Sequence, residues 1–175
     1  MTPTKHEILT RWLPMQTWWP TEAEVPDFEA NFRFHDPAGE VGIETFLLRI
    51  GGVIVQVPMT YRSAPRVEGE LMGEATHSAL GHRWVYLGTS DPVYVTATTA
   101  AISEGRGQVS LEDPDGSPVI RRTTATVRGS GAGSGQLHVA VAIAPDVVPP
   151  SVSGTLEATW AEQPEPVVLA WLDAS

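Results

Sequence analysis

A chain of 175 residues with 42% hydrophobic and 18% charged side chains can bury a core, which excludes global disorder. It has no cysteine, which excludes disulfides and thiolate metal sites, and its net charge of −10 disfavours duplex nucleic acid and anionic lipid as partners. No apolar run approaches the roughly 18 residues of a membrane span, and the polar start Met1-Thr-Pro-Thr-Lys-His-Glu7 leads into no signal-type core, so a cytoplasmic location without membrane contact is expected.

Thr4-Lys-His-Glu7 fits a capping box, and Ile8, Leu9, Trp12 and Leu13 follow at helical spacing until Pro14. This predicts a short amphipathic helix over 5–13. Residues 17–26 carry two prolines and two acids and read as an exposed connection. Phe28, Ala30, Phe32 and Phe34 then alternate with polar residues, the period of a half-buried strand. Asp36-Pro-Ala-Gly39 is a turn. Runs 41–50 and 53–61 are rich in β-formers, and Gly51-Gly52 between them signals a tight hairpin because its turn needs positive φ. Pro58 places the second run at a sheet edge or at a bulge.

Residues 68–77 and 83–87 read as strands around a corner at Ser78-Ala-Leu-Gly-His82. Ser90 or Asp91 caps a helix with Pro92 in its first turn, running to about Ser103. Beyond Gly105, runs 109–112 and 119–128 flank Asp113-Pro-Asp-Gly116 as a further hairpin. Gly129–Gly135 reads as a flexible hairpin loop, and 137–143 alternates as one strand. Runs 155–160 and 167–172 close the chain around Glu162-Gln-Pro-Glu-Pro166. The expected class is α+β, mainly β, with a strongly curved antiparallel sheet, an N-terminal helix and a second helix near 91–103.

No candidate site carries strong chemistry. The Gly129–Gly135 loop precedes a strand and contains no lysine, whereas a phosphate cradle leads into a helix and uses one. Lys5 is the only lysine, so no lysine inside the folded body is available for nucleotide phosphates. His77-Ser78 lacks the setting of a nucleophile elbow. The five histidines, at 6, 35, 77, 82 and 138, show no metal-ligand spacing. His77, His82 and Tyr86 remain a weak candidate pocket. No cofactor, metal or catalytic residue is assigned. The six tryptophans serve core packing or a partner surface. Trp18 and Trp19 are adjacent, so one should pack inward and the other lie open. With Glu22 and Glu24 as a charged rim, they form the candidate interaction surface.

Several segments together resemble one family. They are Trp12-Leu-Pro-Met-Gln-Thr-Trp18, Glu40-Val-Gly-Ile-Glu-Thr45, Val55-Gln-Val-Pro-Met-Thr-Tyr-Arg62, His77-Ser-Ala-Leu-Gly-His-Arg-Trp-Val-Tyr86 and Ser90-Asp-Pro-Val93. The stretch from Trp12 to about Ser103 resembles the N-terminal cap domain of bacterial maltokinases and actinobacterial aminosugar kinases. The resemblance implies a curved antiparallel sheet with flanking helices, set before an ATP-binding lobe. It departs at Pro20-Thr-Glu-Ala-Glu24, where those kinases often carry a basic, glycine-containing stretch. The chain also has no His-x-Asp catalytic loop followed by a metal-binding asparagine. The expected organisation is one domain, with 1–103 cap-like and 104–175 a β-rich extension of the same domain, whether or not the two parts share one sheet.

The expected function is a stand-alone, non-catalytic accessory or interaction protein in maltose, trehalose or aminosugar metabolism. Its expected partner is a sugar kinase or a trehalose/maltose enzyme, and the oligomeric state is left open. The alternatives are a sugar-like ligand module using the concave sheet face, and an enzyme with a histidine-based site.

Overall fold

Thr4 starts the first helix as its sequence predicts. The computed structural model describes residues 1–20, 23–109, 124–143 and 151–173. The Thr4 hydroxyl accepts the Glu7 N–H at 3.2 Å, and the Glu7 carboxylate accepts the Thr4 N–H at 2.7 Å. Helix α1 (Lys5–Trp12) buries Ile8, Leu9 and Trp12. Pro14 does not end the turn at once, because a 3-10 turn (Leu13–Met15) accommodates it near its start.

Strands β1 (Ala30–Phe34), β2 (Gly42–Ile50), β3 (Val53–Arg62), β4 (Leu71–His77) and β5 (Gly81–Leu87) form an antiparallel sheet in the order β1-β2-β3-β5-β4. Gly51 and Gly52, at φ 55° and 86°, close the two-residue β2–β3 hairpin, whose last pair is Ile50 with Val53. β2 and β3 are buried almost continuously rather than alternately. That pattern requires cover on both faces. On one face Phe46, Leu48, Val55, Val57 and Met59 pack with Ile8, Leu9 and Trp12 of α1. On the other, Phe32, Ile43, Leu47 and Ile54 enter a second core.

Helix α2 (Pro92–Glu104) contributes Tyr94, Ala101 and Ile102 to that second core. A second antiparallel sheet completes it. β6 (Thr126–Gly129), β9 (Val152–Trp160), β10 (Gln163–Asp173) and β7 (Leu137–Val139) lie in the order β6-β9-β10-β7. The described strands after α2 thus lie mostly in a sheet of their own. Among the described residues after α2, only β8 (Ala142–Ile143) joins the first sheet as a strand, pairing Ile54 with Ile143 and Val55 with Ala142 of β3. Among the described residues, β2 and β3 are thus covered on both faces by the chain itself.

Four local expectations change. Pro58 lies neither at an edge nor at a bulge: β3 is central, and Pro58 pairs with Thr45 of β2. On its other side β3 is flanked by β8 as far as Val55 and by β5 from Met59. The Gln56 N–H points that way, donating to Val141 O at 3.0 Å, and the Pro58 nitrogen two residues on shares its direction. The missing donor thus falls in the gap between two neighbours, where no ladder bond is lost.

The run 137–143 is not one strand. It leaves the second sheet at Ala140, whose N–H donates to Leu169 O at 3.0 Å, and enters the first as β8. Buried Gln56 donates its Nε2 to both Ala140 O and Leu169 O, tying the sheets at that crossing.

The Gly129–Gly135 segment is not a hairpin loop, because β6 and β7 are opposite edges of their sheet. It crosses the ends of the intervening strands. An added Cβ would meet Ala101 O at 1.8 Å from Gly129, Gly154 N at 2.9 Å from Gly133 and Asp173 O at 2.4 Å from Gly135. These glycines serve close backbone approach. At the chain's end, β10 already begins at Gln163, and a register shift before Val167 absorbs Pro164 and Pro166. The hairpin expected over 109–128 lies mostly outside the described residues; at its ends Val109 donates its N–H to Arg33 O and β6 begins at Thr126.

Candidate functional site

Two of the segments singled out in the sequence meet in space. Thr60 and Arg62 end β3, and Asp91 caps α2. The fully buried Asp91 carboxylate accepts from Arg62 Nε and Nη2 at 2.7 Å each, Thr60 Oγ1 at 2.8 Å, Val93 N–H at 3.0 Å and Arg66 Nη1 at 3.1 Å. Burial opposes its charge, but the Arg62, Thr60 and Val93 hydrogen bonds outweigh that and hold its pKa below the ordinary value. Every contact of this cluster fixes the fold.

Glu44 forms a second buried cluster under α1. It receives Lys5, Arg33 at 2.8 Å, Asn31 Nδ2 at 2.9 Å and the Tyr61 hydroxyl at 3.4 Å. The Tyr61 hydroxyl is pushed well up by burial and then by the Glu44 charge. Lys5 thus anchors the first helix to the sheet. Its ammonium also lies 5.4 Å from the centre of the Phe46 ring. No local pattern marks this cluster, because Glu44 reads as an ordinary polar position on a strand.

The weak candidate pocket does not assemble. His77 Nδ1 accepts the Ala79 and Leu80 N–H groups at 3.2 Å each, closing the β4–β5 turn. His82 is exposed and pairs with Glu74 at 2.9 Å. Tyr86 is buried, and its hydroxyl accepts the Arg66 N–H at 2.7 Å. None of the three lines either cleft described below. Among the described residues, no group of three histidines, aspartates or glutamates could hold a metal ion.

The surface clefts among the described residues include two of note. The larger of these, about 310 Å³, lies along α2 between Phe34, Pro37, Pro92, Ala97 and Arg106. The smaller, about 60 Å³, lies between the sheets and is lined by Trp12, Trp18, Val57, Pro58, Ala140 and Val141, among others. It sits over the gap in the β3 ladder. Trp19 is 6% exposed and donates its indole N–H to Ala23 O at 3.2 Å, whereas Trp18 is 39% exposed. Their rings meet edge to face at 6.1 Å. Glu24 is exposed, and Glu22 lies outside the described residues. Sequence reasoning found Trp18 but not its neighbours across the gap, which come from residues more than 30 positions away.

Residues 12–91 match the family model of the maltokinase N-terminal cap domain, ending at the buried Asp91. No curated protein and no solved structure matches the chain.

Proposed function

Taking residues 12–91 as a maltokinase-type N-terminal cap segment, we propose that the chain is a non-catalytic accessory module in sugar phosphorylation. It works by contact with a protein partner, a sugar kinase or a trehalose/maltose enzyme. The family match carries this reading. The polar groups of the matched segment support it, since Thr60, Arg62, Asp91 and Glu44 are spent on internal ties rather than aimed into a cleft.

The test is reconstitution. A maltokinase deleted of its own cap is mixed with the purified chain, and maltose phosphorylation and the thermal stability of the kinase are followed. A change in either, saturating with added chain, is expected. The chain alone is expected to bind no Mg²⁺-ATP by calorimetry and to phosphorylate no maltose. Turnover by the chain alone would overturn the reading.

A further inference from the structure

We propose that the slot between Trp18 and Val141 docks a basic protein surface by taking in one apolar side chain. This rests on the accessory-module reading and names the face that module uses.

The slot follows from the ladder. Over residues 56–58, β3 has passed β8 and not yet met β5, and Pro58 has no N–H to offer a strand there. The floor is Val57, Pro58 and Ala140, and the walls are Trp12, Trp18 and Val141. Its volume, about 60 Å³, is far below the roughly 300–1,000 Å³ of a small-molecule pocket. It suits a single side chain rather than a whole ligand.

The surroundings are apolar and open. Val141 is 45% exposed and Met15, one turn before Trp18, is 69% exposed. Trp18 has the form of an anchor: a large ring in edge contact with buried Trp19 and 39% exposed.

Charge selects the partner. No charged residue lines the slot. At its rim the exposed Glu70 carboxylate accepts Trp12 Nε1–H at 3.0 Å, and the Glu70 backbone oxygen accepts the Leu87 N–H at 2.9 Å. The whole chain carries −10. The complement is an apolar side chain flanked by lysine or arginine. A second copy of this chain would set acid against acid.

The probe is a short synthetic peptide with Leu-Pro-Leu between Lys-Arg ends, titrated into the full chain by calorimetry. One control peptide keeps the centre and carries Glu-Asp ends; another keeps the basic ends around Gly-Ser-Gly. Only the first is expected to bind, and more weakly as salt rises. Trp18→Ala and Val141→Asp, each checked for an unchanged melting temperature, should weaken it about tenfold or more. Leu80→Asp, on the exposed β4–β5 turn, should leave it unchanged. Equal binding of either control peptide, no binding of the first, or unchanged affinity in both slot variants overturns the proposal. So does self-association of the chain that the slot variants abolish. The same variants enter the kinase reconstitution: if they still act there as wild type does, the accessory reading stands and the slot assignment falls.

Discussion

Arg62 holds Asp91 by two parallel hydrogen bonds of 2.7 Å, Nε to Oδ2 and Nη2 to Oδ1, and so joins the end of β3 to the first turn of α2. The pair is buried on the aspartate side and satisfied further by Thr60 and Val93. Such a pair is costly to break from one side, because the remaining charge is left without its partner. Asp91→Ala should therefore cost about 3–5 kcal/mol, read as a lowered urea midpoint. A loss below about 1 kcal/mol, the range of an exposed pair, would show that the cluster does not hold α2.

Acid should expose the same tie. The folded-state pKa of Asp91 lies below its ordinary 3.8. Its stabilisation is then complete above that value and is lost as pH falls through the folded-state one. Glu29 acts in the same direction: Arg49 holds its pKa below the ordinary 4.5. The urea midpoint should be flat near neutrality and fall below about pH 4. Asp91→Asn should flatten that fall; an unchanged acid limb in the variant would remove Asp91 from the account.

Phe34 ends β1 at 7% exposure, in the core shared with the second sheet and in edge contact with Phe32 at 5.4 Å. Phe34→Ala should cost about 3 kcal/mol, the lower end of the range for a buried phenylalanine, because it also borders the α2 cleft. A melting temperature equal to wild type would place this ring outside the core.

Gly129→Ala should be among the most damaging single-methyl additions, since the new carbon would meet Ala101 O at 1.8 Å and Ile102 Cα at 2.8 Å. Backbone has to move on both sides, so the cost should reach or exceed the roughly 1–3 kcal/mol of ordinary overpacking. Gly107→Ala, whose Cβ would meet only Val127 O, at 2.9 Å, should cost less. Thermal melts of the two variants decide the order.

These sites differ in how far the sequence reveals them. The caps of α1 and α2 and the Gly51-Gly52 turn were legible because each is a local arrangement of a few neighbouring residues. Adjacency alone predicts that one of Trp18 and Trp19 packs inward and the other lies open; the fold decides that Trp19 is the inward one. Pro58, the divided run 137–143 and the Gly129–Gly135 crossing were misread for a common reason. What decides each is a strand or helix end distant in sequence: β8 beside β3, Leu169 beside Ala140, and Ala101 beside Gly129. Alternating hydrophobicity says that a residue is inside; it does not say which of two sheets it is inside. The Trp18 slot was half legible for the same reason, its far wall being supplied by Val139–Val141.

The departure of the chain from one sheet to the other at Ala140 bears on how the molecule forms. Residue 56 must meet residues 140 and 169, and residue 31 must meet residue 124, before either sheet is complete. Closures of that span are dominated by loop entropy and slow the search. They also couple the two sheets: β8, the outer neighbour of β3 at Ile54 and Val55, follows within three residues of β7, which pairs with β10. Amide exchange should accordingly show Gln56, Ala140 and Asn31 opening together, as one cooperative unit spanning the boundary at residue 91 where the family match ends.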